Sequence, residues 1–171
     1  MHLPASYEYP NAPYFAEYLK FEADENLFEV LRNQSIEICG IFENLAKGQA
    51  EFAYAEGKWS LKGLLGHIVD SERIFSYRVL AISRGEKTAL PGFDENEYAD
   101  VADVSKRSVA SLADEMRAVR KSSELLFNSF TDKDLNTSGT ANTHAITVNA
   151  LGFVTLGHFL HHKRILEERY L

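Results

Sequence analysis

The sequence contains little glycine, proline and cysteine, and this composition excludes several classes of protein. Its 171 residues include 10 glycines, 4 prolines and a single cysteine, and 12% of them are aromatic. Collagen-like and disordered chains have more glycine and proline and fewer aromatic residues. No apolar run reaches about 18 residues, so we predict no membrane partner. The length is typical of one domain, here 1–171, that buries its core without disulfides or a structural metal.

The charge balance and the cysteine bear on partners and compartment. The formal net charge is −7, from 18 basic and 25 acidic residues. Such a surface repels phosphate backbones, so we expect no nucleic-acid partner. Cys39 cannot form an internal disulfide, and its apolar neighbours favour a buried structural thiol. The first residues lack the basic and apolar regions of a secretory signal, so the predicted location is cytoplasmic.

Apolar residues recur at helical spacing in four long segments. Ser60 is the predicted N-cap of the second, and Gly85 lies just past its end. No segment shows sustained alternation of apolar and polar residues, as a half-buried strand would. The predicted fold class is therefore all-α, a four-helix bundle. The predicted helices cover residues 24–46, 60–84, 105–130 and 147–169.

Three other segments surround or connect these helices. Residues 1–20 contain three prolines and are predicted to form an N-terminal arm, extended at first and with a short helix at 13–20. Residues 85–104 form a long acidic and aromatic crossover, and a connection of this length in a compact bundle is a candidate for function. Residues 131–146 are polar and are predicted to form a loop.

Two histidines on the fourth predicted helix are the most informative residues for function. His158 and His162 are four residues apart, so both imidazoles lie on one helix face, one turn apart. That face also carries Leu151, Val154 and Ile165, and is therefore the core face. Two buried imidazoles need polar partners or a metal ion. Hydrogen-bonded core histidines and a shallow, solvated helix face remain alternatives.

His67, on the second predicted helix, is the candidate third metal ligand. Bundles build their ligand sites from side chains on facing helices. Three neutral imidazoles with an open position are typical of a catalytic metal site, and they suit zinc, nickel, iron or copper. His161 is a candidate for a supporting or packing role beside this site. His144 precedes the fourth helix, where it could cover the site or lie on a surface loop.

The combination of motifs resembles the DinB-like superfamily. Each motif is weak alone, but together they are fairly specific and extend over nearly the whole chain. The crossover 90–94, Tyr98 and Arg120 also resemble one bacterial branch of that superfamily. The main motifs are Gly57–Ser60, Gly66–Ile68, Gly157–His158 with His161–His162, and Ile165–Tyr170.

The resemblance implies a four-helix bundle with a divalent metal ion, zinc, nickel or iron, on His67, His158 and His162. Many relatives are similar to metal-dependent transferases that use a low-molecular-weight thiol, and others are described as hydrolases. A DNA-repair polymerase is not implied. Phe159 stands where many relatives carry a glutamate after the first histidine of the last helix, which puts activity in question if that glutamate assists the chemistry.

Two functions are therefore kept open. The first is a metal-dependent transferase or hydrolase acting on a small molecule. Arg78 and Arg120 are its candidate substrate contacts, because each could hold a carboxylate through paired hydrogen bonds, although an arginine at such a position more often forms a salt bridge. Trp59 and the crossover 93–98 could form the walls of the pocket. The second is a non-catalytic metal-binding or stress-associated protein. A homodimer is compatible with either function.

Overall fold

The computed structural model describes residues 1–11, 15, 18 and 27–171. Apart from Phe15 and Tyr18, the predicted short helix at 13–20 lies outside the described residues. The beginning of the helix predicted at 24–46 also lies outside them. In the described part of the chain, the elements in order are α1 (Leu27–Glu43), α2 (Leu61–Ser83), α3 (Glu95–Ala102), α4 (Val109–Asn128), α5 (Asp132–Leu135), β1 (Ser138–Ala141), β2 (His144–Thr147) and α6 (Val148–Arg169).

Local chemistry sets the ends of the long helices. The Ser60 hydroxyl accepts a hydrogen bond from the Gly63 amide, as predicted for the N-cap of α2. Gly85 follows α2 with a φ of 85°, a left-handed conformation that glycine adopts without steric cost. Thr147 caps α6 through a hydrogen bond from the amide of Ala150. The predicted boundaries of α2 and α6 are therefore correct within one residue.

The four long helices form the predicted bundle. Helix α4 packs against α1 and α2, and α6 also packs against both. Helices α1 and α2, which are consecutive in the chain, are therefore diagonal rather than adjacent. The buried apolar residues form two groups, one containing Phe75, Phe127 and Phe153 and the other containing Ile38, Phe42 and Phe159. Cys39 lies in the second group and is fully buried, as predicted.

The segment predicted as a loop at 131–146 is more ordered than its composition indicated. It contains the short helix α5 and an antiparallel hairpin in which Ser138 pairs with Thr147 and Ala141 with His144. The expectation of no strand was therefore wrong. Each strand has only four residues, too few for period-two alternation to stand out. The turn also uses Asn142 and Thr143 instead of the common Asn-Gly pair.

The crossover 85–104 is fastened to the hairpin and to α2. Leu90 donates a backbone hydrogen bond to Thr140 and accepts one from Asn142. Asp94 caps α3, and its carboxylate accepts hydrogen bonds from two amides of the first turn. Val104 lies over Gly66 so closely that a side chain at residue 66 would displace it. The crossover is therefore held in place beside the first turns of α2.

The described residues of the N-terminal arm, 1–11, pack on the start of α6. The Glu8 carboxylate is buried and accepts hydrogen bonds from Thr147 Oγ1 at 2.8 Å and Asn149 Nδ2 at 3.1 Å. The His2 amide is 3.4 Å from the Asn149 side-chain oxygen. Within the described residues, no helix combines the length and the apolar character required to cross a bilayer.

Candidate metal centre

The three predicted histidines come together between α2 and α6. His67 lies on the second turn of α2, and His158 and His162 lie one turn apart on α6. The Nε2 atom of His67 is 3.0 Å from the Nε2 atoms of both His158 and His162, and those two are 3.1 Å apart. All three residues are buried. They form one group of ligand atoms, each within 4.8 Å of the others.

These three contacts cannot all be hydrogen bonds. An imidazole Nε2 either carries a proton and donates or lacks one and accepts. Among three mutually close nitrogens, at least one pair must therefore be two donors or two acceptors facing each other. Ligands about 2.1 Å from a shared ion lie about 3 to 3.4 Å from one another, so the observed spacing fits a metal ion. The group of three histidines therefore fits a metal site.

Burial keeps the imidazoles neutral. Loss of solvent, assisted by the nearby His161, lowers the pKa of His67 to about 4. Loss of solvent and the neighbouring histidines lower the pKa of His162 to about 2 and hold that of His158 well below 6.5. A neutral imidazole is the form that binds a metal ion. Near neutral pH, the site therefore presents three ligands without first releasing protons.

Aromatic rings hold the histidine rings in place. The indole of Trp59 lies 4.5 Å from the His67 ring, and the Tyr170 hydroxyl donates to the Trp59 carbonyl oxygen at 2.7 Å. The Phe75 ring meets His158 edge-on at 5.3 Å. Close packing of this kind restricts imidazole orientation as a hydrogen bond would. In the described part of the chain, His162 Nδ1 is buried without a hydrogen-bond partner, so no hydrogen bond at that nitrogen orients the ring.

Tyr18 packs against α6 beside the histidines. Its ring lies 5.8 Å from that of His158 and 5.6 Å from that of His161. Its backbone lies so close to Gly157 that a Cβ atom at residue 157 would collide with it. The glycine before His158 therefore lets the N-terminal segment approach the site.

A cavity of about 410 Å3 opens from the histidines. This volume is within the range of small-molecule sites. Its walls combine α2 and α6 with the crossover, the hairpin and the N-terminal segment. Trp59 and Phe93, predicted as wall residues, are part of the lining, whereas Tyr98 is not. The lining residues outside the histidines are Phe15, Tyr18, Trp59, Phe75, Arg78, Phe93, Glu95, Ala141, Asn142, Ile146, Leu151 and Val154.

The two predicted substrate contacts have different positions. Arg78 lines the cavity, donates a 2.7 Å hydrogen bond to the Pro91 carbonyl and lies over the Phe93 ring. Arg120, the other candidate substrate contact, is not among the described residues that line the cavity. Its guanidinium is 1% exposed and forms a bidentate ion pair with Glu72, at 2.7 to 3.0 Å. The same guanidinium donates to the Leu31 carbonyl oxygen at 3.0 Å, so Arg120 joins α4 to both α1 and α2.

The other two histidines near the site differ in position. His161 lines the cavity but is not one of the three ligand residues, and its ring lies 5.0 Å from that of His162. His144 begins β2 instead of lying in a loop, and its ring contacts Phe15 at 6.4 Å. It does not line the cavity. His144 therefore packs against the N-terminal segment and does not cover the histidines.

Sequence reasoning missed several residues of the cavity. Phe75 lies eight residues after His67, a spacing that keeps it on the same face of α2, so periodicity could have identified it. Ala141, Asn142 and Ile146 come from a hairpin that no pattern predicted. Tyr18 precedes α1 and reaches the site through tertiary packing alone, for which the sequence carries no signal.

The fold and the site define a class: a four-helix bundle with a buried group of three histidines beside a cavity. The family model of the DinB superfamily matches residues 37–166, so the chain belongs to that superfamily, as the motifs predicted. A solved structure with a similar fold is YfiT from Bacillus subtilis, described as a probable metal-dependent hydrolase with an unusual four-helix bundle topology. The two are 18% identical, with a TM-score of 0.78 over 96% of this chain and 95% of that chain. A search of curated proteins gave no match.

Proposed function

We propose that this protein is a divalent-metal-dependent enzyme that acts on a small molecule in the 410 Å3 cavity. His67, His158 and His162 would hold the ion through their Nε2 atoms. The observation that carries this proposal is the triangle of Nε2 atoms 3.0 to 3.1 Å apart, which hydrogen bonding alone cannot satisfy.

The donor set suits borderline divalent ions. Imidazole favours zinc, nickel, iron or copper, and no cysteine thiolate is present in the group to favour softer ions. Three protein ligands leave room for a substrate or water, as in catalytic sites. A bound ion of this kind would supply Lewis-acid polarisation.

The chain's own residues would prepare the site for chemistry. The histidines are kept neutral by burial, and Trp59 and Phe75 fix the orientation of two of their rings. The aromatic and aliphatic walls exclude water from the side of the cavity that faces the core. Glu95 is the one carboxylate among the described lining residues, and it lies on the exposed first turn of α3. Glu95 is therefore the candidate to exchange protons with a bound substrate.

Hydrolysis is the reaction that we place first. YfiT, which shares the fold, is described as a probable metal-dependent hydrolase. Transfer of a low-molecular-weight thiol is the second reaction, and it rests on the family resemblance alone. Either reaction would begin with a small molecule bound beside the three histidines.

One observation favours a non-catalytic metal-binding function instead. Ligand histidines usually donate their second ring nitrogen to a carboxylate or carbonyl, which raises ligand basicity. The buried Nδ1 of His162 has no such partner in the described part of the chain. A site built this way would bind an ion without tuning it for chemistry.

A chelator experiment separates these functions. The purified protein is stripped of metal, reloaded with zinc, nickel or iron(II), and assayed for ester and amide hydrolysis and for thiol conjugation. Activity that one ion restores, and that the His67→Gln variant lacks, supports the enzyme. Stoichiometric metal binding without turnover of any substrate supports the alternative. If the protein binds no metal, both are wrong.

A further inference from the structure

We propose that Glu8 is a positioning residue that keeps one wall of the cavity closed. Phe15 and Tyr18 line the cavity and form what we call its N-terminal wall. Glu8 is not among the described lining residues, and it acts on this wall through Tyr9. The inference concerns access to the cavity, and it goes beyond the proposed function because it holds whether or not the site is catalytic.

The Glu8 side chain is buried although it belongs to the N-terminal arm and not to the bundle. It is 2% exposed. Among the described residues, its ion-pair partner is His2, whose ring nitrogen lies 3.3 Å away and whose side chain is 53% exposed. Burying a carboxylate is costly unless hydrogen bonds replace the lost water. The hydrogen bonds of Glu8 must therefore compensate for its burial.

Both carboxylate oxygens of Glu8 accept hydrogen bonds. Oε1 accepts one from the Ala5 amide at 2.9 Å, within the arm itself. Oε2 accepts from the Thr147 hydroxyl at 2.8 Å and from the Asn149 side-chain amide at 3.1 Å, both at the start of α6. The Glu8 carbonyl oxygen also accepts from the Thr147 amide at 2.9 Å. Glu8 therefore fastens the arm to the beginning of α6, where the helix dipole favours a negative charge.

Tyr9 connects Glu8 to the cavity. Its ring stacks on that of Phe15, with centroids 6.3 Å apart and an angle of 26° between the ring planes. Phe15 is 6% exposed, lines the cavity and meets the His144 ring edge-on at 6.4 Å. A displacement of the arm at Glu8 therefore also displaces Tyr9 and removes one side of the packing around Phe15.

The N-terminal wall can open without unpacking the bundle. Two other walls of the cavity belong to α2 and α6, which pack against each other in the core. Local opening involves segments that bury fewer contacts than the core helices do. Loss of the Glu8 hydrogen bonds should therefore raise the fraction of molecules with an open cavity and leave the bundle folded.

Proteolysis of the metal-stripped protein under native conditions tests the inference. Chymotrypsin cleaves after aromatic residues, and it reaches the buried Phe15 only when the N-terminal wall opens. The cleavage rate follows the open fraction when opening and closing are fast. We expect cleavage after Phe15 to be about tenfold faster in Glu8→Gln, as for the loss of one hydrogen bond to a charged group. Mass spectrometry of the fragments measures the rate.

Fluorescence of Trp59 measures access to the cavity itself. Trp59 is the single tryptophan, and it lines the cavity. We expect Glu8→Gln to increase the quenching of its fluorescence by acrylamide. Phe15→Ala removes the ring through which Glu8 acts, so it should increase quenching as well. The double variant Glu8→Gln/Phe15→Ala should then be quenched no more than Phe15→Ala alone, because the two residues act as a unit.

Two further variants keep these results interpretable. Ile38→Val removes a methyl group from the core, outside the described cavity lining, and should leave both cleavage and quenching unchanged. Tyr9→Ala removes the stacking on Phe15 and leaves the Glu8 carboxylate in place. It should increase quenching even if Glu8→Gln does not fold.

Three results would overturn the inference. The first is wild-type cleavage in a folded Glu8→Gln variant or wild-type quenching in Tyr9→Ala. The second is additive quenching in the double variant, which would separate Glu8 from Phe15. The third is cleavage accelerated as much by Ile38→Val as by Glu8→Gln, which would mean that global unfolding exposes Phe15. No metal is present in these assays, so their outcome does not depend on the proposed metal site.

Discussion

Without a metal ion, three imidazole nitrogens within 3.1 Å of one another are energetically unfavourable in a protein interior. Each ring is buried, and at least one pair of nitrogens must face each other as two donors or as two acceptors. Trp59 and Phe75 contribute packing, and the polar group beside them is the Ser71 hydroxyl, 3.5 Å from His67 Nε2. This arrangement fits metal binding better than a purely structural role.

Removing one ligand should reduce metal binding more than stability. We expect His162→Ala to bind much less than one equivalent of zinc or nickel, because a three-ligand site loses one of its ligands. The large apolar core of the bundle should keep the variant folded. Elemental analysis after dialysis measures the metal content, and thermal unfolding of metal-stripped protein measures stability.

His161→Ala is the matched control for this variant. It removes an adjacent imidazole that lines the cavity but lies outside the ligand group. It should retain about one equivalent of metal. If His161→Ala and His162→Ala lose metal equally, the ion is not held by the three histidines.

Arg120 should prove to be a structural residue. Arg120→Met leaves the buried Glu72 carboxylate without its partner, which should lower the free energy of unfolding by about 3 to 5 kcal/mol. The double variant Arg120→Met/Glu72→Leu removes both charges and should recover part of that loss, whereas the hydrogen bond to the Leu31 carbonyl oxygen remains absent. Urea unfolding of the three proteins measures this difference. A double variant as unstable as Arg120→Met would show that the loss does not come from the unpaired Glu72 carboxylate.

At the scale of elements, the long helices were predictable and the hairpin that forms one wall of the cavity was not. The sequence predicted α2 and α6 within one residue because their apolar spacing and their caps agree. His67, His158 and His162 could be proposed together because they lie on inward faces of those helices. The hairpin 138–147 and the bridge between Leu90 and Ala141 depend on pairing between distant segments, which no local pattern encodes.

We expect a glycine at residue 143, in the hairpin turn, to stabilise the protein. Thr143 has a φ of 67°, a left-handed conformation that is unfavourable for a β-branched residue. Thr143→Gly creates the Asn-Gly pair typical of such two-residue turns and should stabilise the protein by about 0.5 to 1 kcal/mol. Urea unfolding measures the change. Ser122→Gly, at an exposed position in the middle of helix α4, is the control and should destabilise by about 0.5 kcal/mol. A destabilising Thr143→Gly would show that the threonine side chain contributes to the turn.

At the scale of the whole molecule, the histidines lie where the two apolar groups of the core meet. Leu65 and Phe159 of one group lie within two residues of His67 and His158, and Phe75 of the other group contacts the His158 ring. This position explains their burial and their lowered pKa values. It also couples the protonation of the site to the stability of the fold, because unfolding exposes all three rings to water.

The metal-stripped protein should lose stability as the pH falls from about 6.5 toward 5. Unfolded histidines bind protons near pH 6.5, whereas burial lowers the pKa of the native His67 to about 4 and that of His162 to about 2. The unfolded state therefore binds more protons in this range, and the three rings together contribute as much as about 4 kcal/mol per pH unit. Urea unfolding at several pH values measures the slope.

His162→Gln removes one of the three protonation sites and should reduce that slope by about one third. A slope unchanged in this variant would mean that other groups cause the acid sensitivity. A wild-type stability that is constant between pH 6.5 and 5 would mean that the native histidines titrate normally and are not buried as described.

The most direct test of the metal site is a crystal structure of the nickel- or zinc-loaded protein, with anomalous diffraction recorded at the absorption edge of the metal. The proposed site predicts one strong anomalous peak about 2.1 Å from the Nε2 atoms of His67, His158 and His162. A peak at other residues, or no ordered peak between α2 and α6 at full metal loading, would contradict it.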